Sequence, residues 1–209
     1  MENDGSCTLT PRAAACRRKF LEAAREVFLD GGLEKASMQE IVKRSGGSLT
    51  TLYKYFGSKE GLFEAVLLEG SAEFHEKLEA SLAALEEKDL RTYLETFARY
   101  FLEAVMDEDK VAFHRLIVAE GYRDGGTIGK LFYQHAVNRT QNLLVRALER
   151  HFPALEEKEL TALMFLGMLK DPYHQRVLIL GEPLTLSPEE KEAFIARVLD
   201  RFFYGIFPR

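Results

Sequence analysis

The sequence contains little cysteine and no long apolar run. Cys7 and Cys16 are its two cysteines among 209 residues, too few for the disulfide framework of a small secreted protein. No stretch approaches the roughly 18 consecutive apolar residues of a membrane-spanning helix. Residues 1–11 are polar and acidic and lack the apolar segment of a secretory signal. We therefore expect a reduced, cytoplasmic protein that makes no contact with a membrane.

Strand-forming residues are also sparse. Valine, isoleucine and threonine are thinly spread, whereas alanine, leucine, glutamate, lysine and arginine dominate from end to end. Hydrophobic residues make up 46% of the chain, which is enough to bury a sizeable core. The composition predicts an all-α fold, and the helix caps and breaks along the chain place about nine helices.

Motifs of catalysis and metal binding are missing. The five histidines show neither the H-x-x-x-H nor the H-E-x-x-H spacing of zinc sites, and no G-x-S-x-G nucleophile turn occurs. The glycine-rich residues 121–130 fail as a phosphate-binding loop, because Asp124 occupies the first glycine position and Leu131 follows the lysine. We expect no enzyme activity, no metal and no cofactor.

Charge is divided unevenly along the chain. The formal net charge is −5. Residues 12–59 contain ten Lys/Arg and five Asp/Glu, a net charge of +5, which leaves −10 for the rest. A basic segment on an otherwise acidic protein favours one contact surface for a polyanion such as nucleic acid.

The basic segment predicts three helices before residue 57. The first runs over residues 11–30, and a Gly-Gly pair ends it. Ser37 begins the second in an S-x-x-E capping box with Glu40, and after a second Gly-Gly turn Ser48 caps the third, residues 49–56. Helices this short are unstable alone and must pack on the first. The pattern predicts a helix-turn-helix on a three-helix core.

The third helix carries polar side chains away from that core. Leu52 and Phe56 lie one turn apart and face inward. The side chains that point outward or sideways suit phosphates and base edges in the major groove of DNA; they are Leu49, Thr50, Thr51, Tyr53, Lys54 and Tyr55. An alternative for the two tyrosines is that they only cover the flank of the helix.

Three further groups in this segment suit DNA. Ser58 caps a fourth helix and, with Lys59, offers a site for a backbone phosphate. Gln39 lies on the outer side of the second helix, where it can reach a base. A basic cluster at the start of the first helix either contacts a neighbouring phosphate or the minor groove, or forms a solvated helix face; it comprises Arg12, Arg17, Arg18 and Lys19.

At these residues the sequence resembles the TetR/AcrR family of bacterial transcriptional regulators. The family pattern A/S-G-V-S-x-G/A-T-L/I-Y-x-H/Y-F-x-S/N-K-E-x-L stands here as SGGSLTTLYKYFGSKEGL, residues 45–62. Gly47 replaces the usual valine, and Thr50 replaces the usual glycine or alanine. We expect Gly47 to loosen the packing of the two short helices by ~1–2 kcal/mol. Because Thr50 lies at the DNA-facing start of the third helix, the operator sequence cannot be copied from a relative.

The resemblance implies several functional features. It implies DNA contacts from Ser37, Gln39, Leu49, Thr50, Thr51, Tyr53, Lys54, Tyr55 and Lys59. It also implies a homodimer formed by the last two long helices, and an effector pocket whose occupancy moves two DNA-binding heads. Residues 1–57 would form the DNA-binding domain and residues 58–209 the ligand-binding and dimerisation domain. Two C-terminal stretches, HRLIVAEGYRDGGTIGKLFYQ and FLGMLKDPYHQRVLIL, resemble a subclass that includes regulators of efflux systems.

Longer helices are predicted in the C-terminal part, at residues 58–86, 89–107, 110–121, 127–151, 156–170 and 188–206, with a last turn at residues 177–180. Their apolar stripes are first of all core. They also allow a pocket for a small, largely apolar effector with one or two polar groups. Its predicted lining is Phe97, Phe101, Phe113, His114, Ile117, Tyr133, Asn138, Met164 and Met168.

The end of the chain predicts a dimer interface. The last helix is apolar on adjacent faces and would pair with its own copy and with the helix around residues 160–169. The predicted interface residues are Leu163, Val198, Phe202, Phe203 and Ile206.

Three functions remain open at this point. The favoured one is a DNA-binding repressor on a pseudo-palindromic operator. The second is a helical small-molecule-binding protein or enzyme whose N-terminal head no longer binds DNA, and the third is a structural adaptor. Exposed Tyr53, Lys54 and Lys59 would argue against the second, and the third predicts no salt-dependent affinity for DNA.

Overall fold

A computed structural model describes residues 10–121, 125–171, 173–181 and 186–205, and every regular element within these ranges is helical. The predicted all-α fold is confirmed. Cys7 and Ile206 lie outside the described residues. The chain divides into two compact units between Glu69 and Gly70, inside the fourth helix. The predicted boundary between residues 57 and 58 falls at the loop before that helix.

The N-terminal unit contains α1 (Pro11–Lys35), α2 (Met38–Ser45), α3 (Leu49–Phe56) and the first part of α4 (Lys59–Ala83). Helix α1 extends beyond its predicted end at residue 30. Gly32 has φ 73° and ψ 173°, which breaks the helix, and a short helical stretch then continues to residue 35. A positive φ favours glycine, which explains why the break falls there.

Serine caps begin the short helices where the sequence predicts them. In each cap the serine Oγ accepts a hydrogen bond from the backbone N–H three residues further along the chain. The distances are 3.4 Å at Ser37, 3.2 Å at Ser48 and 3.0 Å at Ser58. The capping box expected at Ser37 forms only in half, because the Glu40 carboxylate accepts a hydrogen bond from Arg44 Nε at 3.0 Å instead.

Aromatic rings form the core of the N-terminal unit. Phe28 of α1 meets Phe63 of α4 edge to face, with ring centroids 5.1 Å apart. Phe56 of α3 meets Phe20 of α1 in the same way at 6.4 Å, and Leu52 is fully buried beside them. Because α2 and α3 are too short to be stable alone, this packing on α1 sets the orientation of α3.

Seven further helices lie in the described part of the C-terminal unit: α5 (Leu90–Met106), α6 (Glu108–Glu120), α7 (Thr127–Phe132), α8 (Asn138–His151), α9 (Lys158–Lys170), α10 (Tyr173–Leu180) and α11 (Pro188–Tyr204). A π-helical segment, Tyr133–Val137, joins α7 directly to α8, so the three form the continuous helix predicted at residues 127–151. Helix α10 has eight residues, although only a last turn was predicted there.

The core of the C-terminal unit lies between the second part of α4 and helices α5, α8, α9 and α11. Phe97 of α5 stacks on Phe101 at a centroid distance of 5.7 Å, and Phe165 of α9 contacts Phe202 of α11 at 4.8 Å. Complete burial of a side chain of this size contributes roughly 1.5–3 kcal/mol to folding. Helix α11 begins with a complete capping box at Ser187, as its sequence predicts.

Polar side chains one turn apart on α4 hold the π-helical segment and the start of α8. The three pairs are Ser71 Oγ to the His135 carbonyl oxygen (2.8 Å), His75 Nε2 to Thr140 Oγ1 (3.0 Å) and Arg139 Nε to Glu79 (2.9 Å). We call these contacts the α4 polar ladder. His75 is fully buried, and this burial, followed by the charge of Arg139, lowers its pKa.

Candidate functional site

Helix α3 presents one face to solvent and one to the core. Leu52 and Phe56 are buried against α1, as predicted. Thr50, Tyr53 and Lys54 are exposed, and 48% of the tyrosine surface is accessible. The aromatic ring of Tyr53 and the ammonium group of Lys54 are therefore exposed to solvent on α3.

The other predicted contact residues of α3 are half-buried, and two of them, Thr51 and Tyr55, contact other residues of the N-terminal unit. Leu49 and Thr51 are half-buried, and Thr51 Oγ1 lies 2.8 Å from Ser48 Oγ. Tyr55 is half-buried with its ring edge against Phe20, and its hydroxyl donates to the Ala13 carbonyl oxygen at 3.5 Å. The structure thus gives Tyr55 a role in holding α3 on α1.

Lys59 and Ser58 begin α4 beside the same surface. Lys59 Nζ donates to the carbonyl oxygens of Glu34 at 2.9 Å and Ala36 at 3.4 Å. These carbonyls belong to the end of α1, so the lysine fastens α4 to the connection between α1 and α2. Both Ser58 and Lys59 are half-buried.

The two predicted contact residues of α2 lie side by side. Gln39 is exposed and Ser37 is half-buried. Ser37 Oγ donates a long hydrogen bond of 3.4 Å to Gln39 Oε1. This long hydrogen bond uses only the amide oxygen of Gln39, whose side chain is exposed on the surface of α2.

Gly47 does not loosen the helix-turn-helix, contrary to the sequence expectation. The ring of Phe20 occupies the space beside it, and a β-carbon at residue 47 would lie only 2.6 Å from Phe20 Cε1. Phe20 is fully buried. The phenylalanine of α1 therefore fills the volume that a valine at residue 47 would use, and the expected loss of packing is wrong.

Two arginines stabilise the N-terminal unit through ion pairs that sequence patterns do not predict. Arg17 pairs with Glu69 at 3.3 Å and lies over the ring of Phe56. Arg44 of α2 binds three carboxylates, those of Glu40 (3.0 Å), Asp30 (3.1 Å) and Glu26 (3.5 Å). The hydrogen bonds to the Glu40 and Asp30 carboxylates raise the pKa of Arg44.

The residues predicted to line an effector pocket have mixed environments. Phe97 and Ile117 are buried, and Phe101, Phe113, His114, Asn138 and Met168 are half-buried. Tyr133 and Met164 are 53% and 60% exposed. These last two side chains face outward rather than into an enclosed pocket, because their helix positions point away from the core.

Two depressions lie elsewhere on the surface. One of about 260 Å³ is lined by Lys19, Glu22, Ala23, Glu26, Arg44 and Ser45. Another of about 160 Å³ is lined by Glu79, Gln134, Arg139, Asn142, Leu143 and Arg146. Neither of these two depressions is lined by a residue of the predicted pocket.

A histidine pair lies among the predicted pocket residues. His114 Nδ1 on α6 is 3.0 Å from His174 Nε2 on α10, and the rings stack with centroids 5.2 Å apart. Burial, followed by the charges of His174 and Lys170, lowers the pKa of His114 to about 4. His174 is buried as well, and its pKa is also lowered. The sequence spacing gave no signal for this pair, because sixty residues separate its members.

The predicted dimer residues divide between core and surface. Val198 is only 5% exposed and belongs to the core of its own unit. Phe202 and Phe203 are half-buried, and Ile206 lies outside the described residues. Leu163 is 42% exposed, and Leu160 and Met164, which the prediction did not include, accompany it on the outer face of α9.

Searches of the described residues for two other kinds of site found none. No group of three or more His, Cys, Asp or Glu side chains there is arranged to hold a metal ion. No helix in the same part of the chain is long and apolar enough to cross a membrane.

Two known protein families match the chain in sequence. The description "Bacterial regulatory proteins, tetR family" matches residues 20–66, which include the α1–α3 surface described above. The description "AefR-like transcriptional repressor, C-terminal domain" matches residues 92–205, more than half of the chain.

Known proteins resemble the chain in sequence and in structure. The HTH-type transcriptional regulator UidR of Escherichia coli K12 is 32% identical over 128 residues, which cover 59% of this chain and 60% of UidR. A crystal structure of a TetR-family transcriptional regulator from Mesorhizobium loti has a TM-score of 0.84 and 25% identity, covering 93% of this chain and 98% of that one. The flavonoid-responsive regulator FrrA has a TM-score of 0.71 and 28% identity, covering 94% and 99%.

Proposed function

The chain belongs to the TetR family of bacterial transcriptional regulators, and we propose that it is a homodimeric repressor which a small, largely apolar effector releases from its operator. The family membership makes it a DNA-binding transcriptional regulator and not an enzyme. The proposal adds repression, the dimer and the effector. It also assigns DNA binding to residues 1–57, and ligand binding and dimerisation to residues 58–209, in a protein that acts in the cytoplasm.

The free face of α3 is the observation that carries the DNA-binding part of the proposal. Thr50, Tyr53 and Lys54 are exposed on a helix whose opposite face is locked to α1. A protruding helix fits the major groove, where base edges present distinguishable donors and acceptors. The exposed tyrosine and lysine on this face are placed where they can contact base edges and phosphates.

The contacts divide into two kinds. Thr50, Tyr53 and Gln39 suit base edges, because they offer a methyl group, a hydroxyl and an amide on the outer surface of α2 and α3. Lys54 and the N-terminus of α4 at Ser58 suit backbone phosphates. Lys59 reaches a phosphate only with the hydrogen that its two carbonyl partners leave free.

An exposed apolar face supports the homodimer. Leu160, Leu163 and Met164 form a strip on α9, and helix α11, which packs on α9, exposes Tyr204 near its end. Two helices from each subunit would make a four-helix interface around a two-fold axis. Such a dimer reads two half-sites about one DNA turn apart, ~34–36 Å.

Effector control is the third part of the proposal. The solved structures that resemble this chain include FrrA, which is described as flavonoid-responsive. Apolar side chains of α5 and α6, such as Phe97 and Ile117, and the His114–His174 pair give the C-terminal unit groups that suit a ligand. A ligand that favours the non-binding state about 100-fold needs a coupling free energy of only ~2.7 kcal/mol.

Selection of genomic fragments tests the proposal. Fragments bound by the purified full-length protein would be sequenced, and the affinity for the best fragment measured by fluorescence anisotropy at several salt concentrations. Lys54→Ala should weaken binding to all duplexes nearly equally and reduce the salt slope by ~1. Gln39→Ala should change which base pair is preferred at one position of each half-site.

Lys88→Ala is the matched control, because Lys88 is exposed in the C-terminal unit. It should leave both the affinity and the salt slope unchanged. Failure to select any preferred fragment at modest ionic strength would contradict operator binding. Equal effects of Lys54→Ala and Lys88→Ala would contradict the assignment of α3 as the contact helix.

A further inference from the structure

The histidine pair has a fixed hydrogen-bond direction. His174 Nδ1 lies 2.9 Å from the carbonyl oxygen of Val105, and a carbonyl oxygen can only accept. His174 Nδ1 therefore carries a proton. In a neutral ring Nε2 is then a bare lone pair, and it accepts from the Nδ1–H of His114 at 3.0 Å.

Because His114 donates to His174, and His174 donates to Val105, the lone pair on Nε2 of His114 remains at the start of this series of hydrogen bonds. With its proton on Nδ1, neutral His114 has no hydrogen on Nε2. Within the described residues Nε2 of His114 has no hydrogen-bond donor, although the residue is only half-buried. Among the residues that the structure describes, the half-buried pair therefore offers one acceptor that no donor occupies.

The surroundings keep the pair neutral near pH 7. Burial lowers the pKa of both histidines, and the charge of Lys170 lowers both further. The hydrogen bond to the Val105 carbonyl and, to a smaller extent, the charge of Asp171 oppose this on His174, whose pKa is still lowered. The guanidinium of Arg115 donates from Nε to the Leu178 carbonyl oxygen at 3.0 Å and from Nη2 to that of Val177. Two of its donors thus cap the end of α10.

An aromatic wall lies beside the free acceptor. The ring of Phe132, at the end of α7, is 5.1 Å from the His114 ring at an angle of 34°. The pair itself joins α6 to α10, and the Val105 carbonyl adds the end of α5. Residues of α5, α6, α7 and α10 thus meet at one aromatic surface, which carries the Nε2 acceptor of His114.

We propose that His114 Nε2 is the polar anchor of the effector site and that it selects ligands carrying a hydroxyl donor, namely phenols, over carboxylates and ethers. The inference rests on the proposed effector function and names its ligand class. A phenol donates its O–H to the lone pair while its ring packs against Phe132. A carboxylate oxygen or an ether oxygen brings a second lone pair to the same place and makes no hydrogen bond.

The geometry is tested first without a ligand. Nitrogen-15 NMR of the full-length protein at pH 7 distinguishes protonated from unprotonated ring nitrogens. We expect His114 and His174 both to be neutral and to carry their protons on Nδ1. A proton on Nε2 of His114, or a charged ring at this pH, would overturn the proposal because the site would then be a donor.

Three matched probes test the ligand class. Isothermal titration of the full-length protein would compare 4-octylphenol, 4-octylanisole and 4-octylbenzoate, which share ring and alkyl chain and differ in the polar group. We expect 4-octylphenol to bind about tenfold more tightly than the other two, the effect of one added hydrogen bond. Tighter binding of 4-octylbenzoate, or no measurable binding of 4-octylphenol, would overturn the proposal.

Two substitutions assign the effect to the residue. His114→Phe keeps an aromatic ring and removes the acceptor, so the preference for 4-octylphenol should fall to within about twofold. His135→Phe changes an exposed histidine and should keep the full preference. A preference that survived His114→Phe would place the anchor elsewhere. Operator binding by the ligand-free protein is measured separately, so a wild-type protein that binds its operator but shows no preference for 4-octylphenol would refute this inference alone.

Discussion

The ring of Phe20 on α1 lies directly against Gly47 in the turn between α2 and α3. A β-carbon at residue 47 would be 2.6 Å from Phe20 Cε1, closer than real β-carbons approach another atom. The phenylalanine is fully buried and also meets Tyr55 and Phe56 edge to face. One ring on α1 thus fixes both the turn and the back of the contact helix.

Gly47→Val is therefore expected to destabilise the protein, although valine is the usual residue of the family pattern at this position. The added side chain must displace a buried ring, and overpacking of this kind costs about 1–3 kcal/mol. Chemical denaturation monitored by tyrosine fluorescence measures the effect. Gly70→Ala is the matched control, because a β-carbon there meets no atom within 4 Å; no loss of stability is expected. A Gly47→Val protein as stable as Gly70→Ala would contradict the close packing.

The contrast at Gly47 shows where sequence patterns fail. The three serine caps were predicted correctly, because a cap depends on residues three positions apart in the chain. The replacement of valine by glycine was misjudged, since the compensating residue, Phe20, is 27 positions away in the sequence and only packing brings it near.

The C-terminal unit shows the same limit. Periodicity predicted the helix over residues 127–151 but carries no signal for its π-helical segment, which side chains from α4 hold in place. The apolar residue Met164 was placed in a pocket because hydrophobicity alone does not tell an inward face from an outward one. The His114–His174 pair joins two helices that are far apart in the sequence.

Lys59→Ala should affect stability as well as DNA binding. Its ammonium donates to the carbonyl oxygens of Glu34 and Ala36, so its removal leaves two acceptors at the end of α1 without this partner. We expect a loss of ~1–2 kcal/mol in the free energy of unfolding together with weaker DNA binding.

Lys54→Ala, at an exposed position, should weaken DNA binding alone. Thermal melts and salt-dependent anisotropy on both variants check this, and unchanged stability of Lys59→Ala would refute the structural role.

Thr140→Val tests the α4 polar ladder. The substitution is nearly isosteric but removes the hydroxyl that lies 3.0 Å from His75 Nε2 and 2.8 Å from the Ala136 carbonyl oxygen. It leaves a buried imidazole nitrogen unpaired, so we expect a loss of ~1–3 kcal/mol in denaturant unfolding. Thr161→Val removes a hydroxyl that donates to the Glu157 carbonyl oxygen at an exposed position, where water can replace the bond, and should cost much less. Equal losses would show that the ladder adds nothing to stability.

The histidine pair makes stability depend on pH. Burial holds the pKa of His114 at about 4, below its ordinary value of 6.5. Between these values the unfolded chain binds a proton that the folded protein does not, so the free energy of unfolding falls as the pH is lowered from about 6.5 to about 4. His114→Asn keeps an N–H donor toward His174 but cannot titrate. Between pH 6.5 and pH 4 the free energy of unfolding of this variant should therefore fall by ~1–3 kcal/mol less than that of the wild-type protein. His135→Asn, at an exposed histidine, should follow the wild-type curve.

The outer face of α9 gives the sharpest test of assembly. Leu163 and Met164 are 42% and 60% exposed, and they lie beside Leu160 in a strip that a partner would cover. Leu163→Glu places a charge in that strip without disturbing the subunit core, so sedimentation should show a shift from dimer to monomer with unchanged helix content. Because a monomer reads one half-site, operator affinity should fall by at least about 100-fold. Ile179→Glu changes an apolar residue that is 73% exposed on α10 and should leave the dimer intact. If Leu163→Glu remained dimeric, the interface would have to lie on another face, and the exposed strip on α9 would need a different partner.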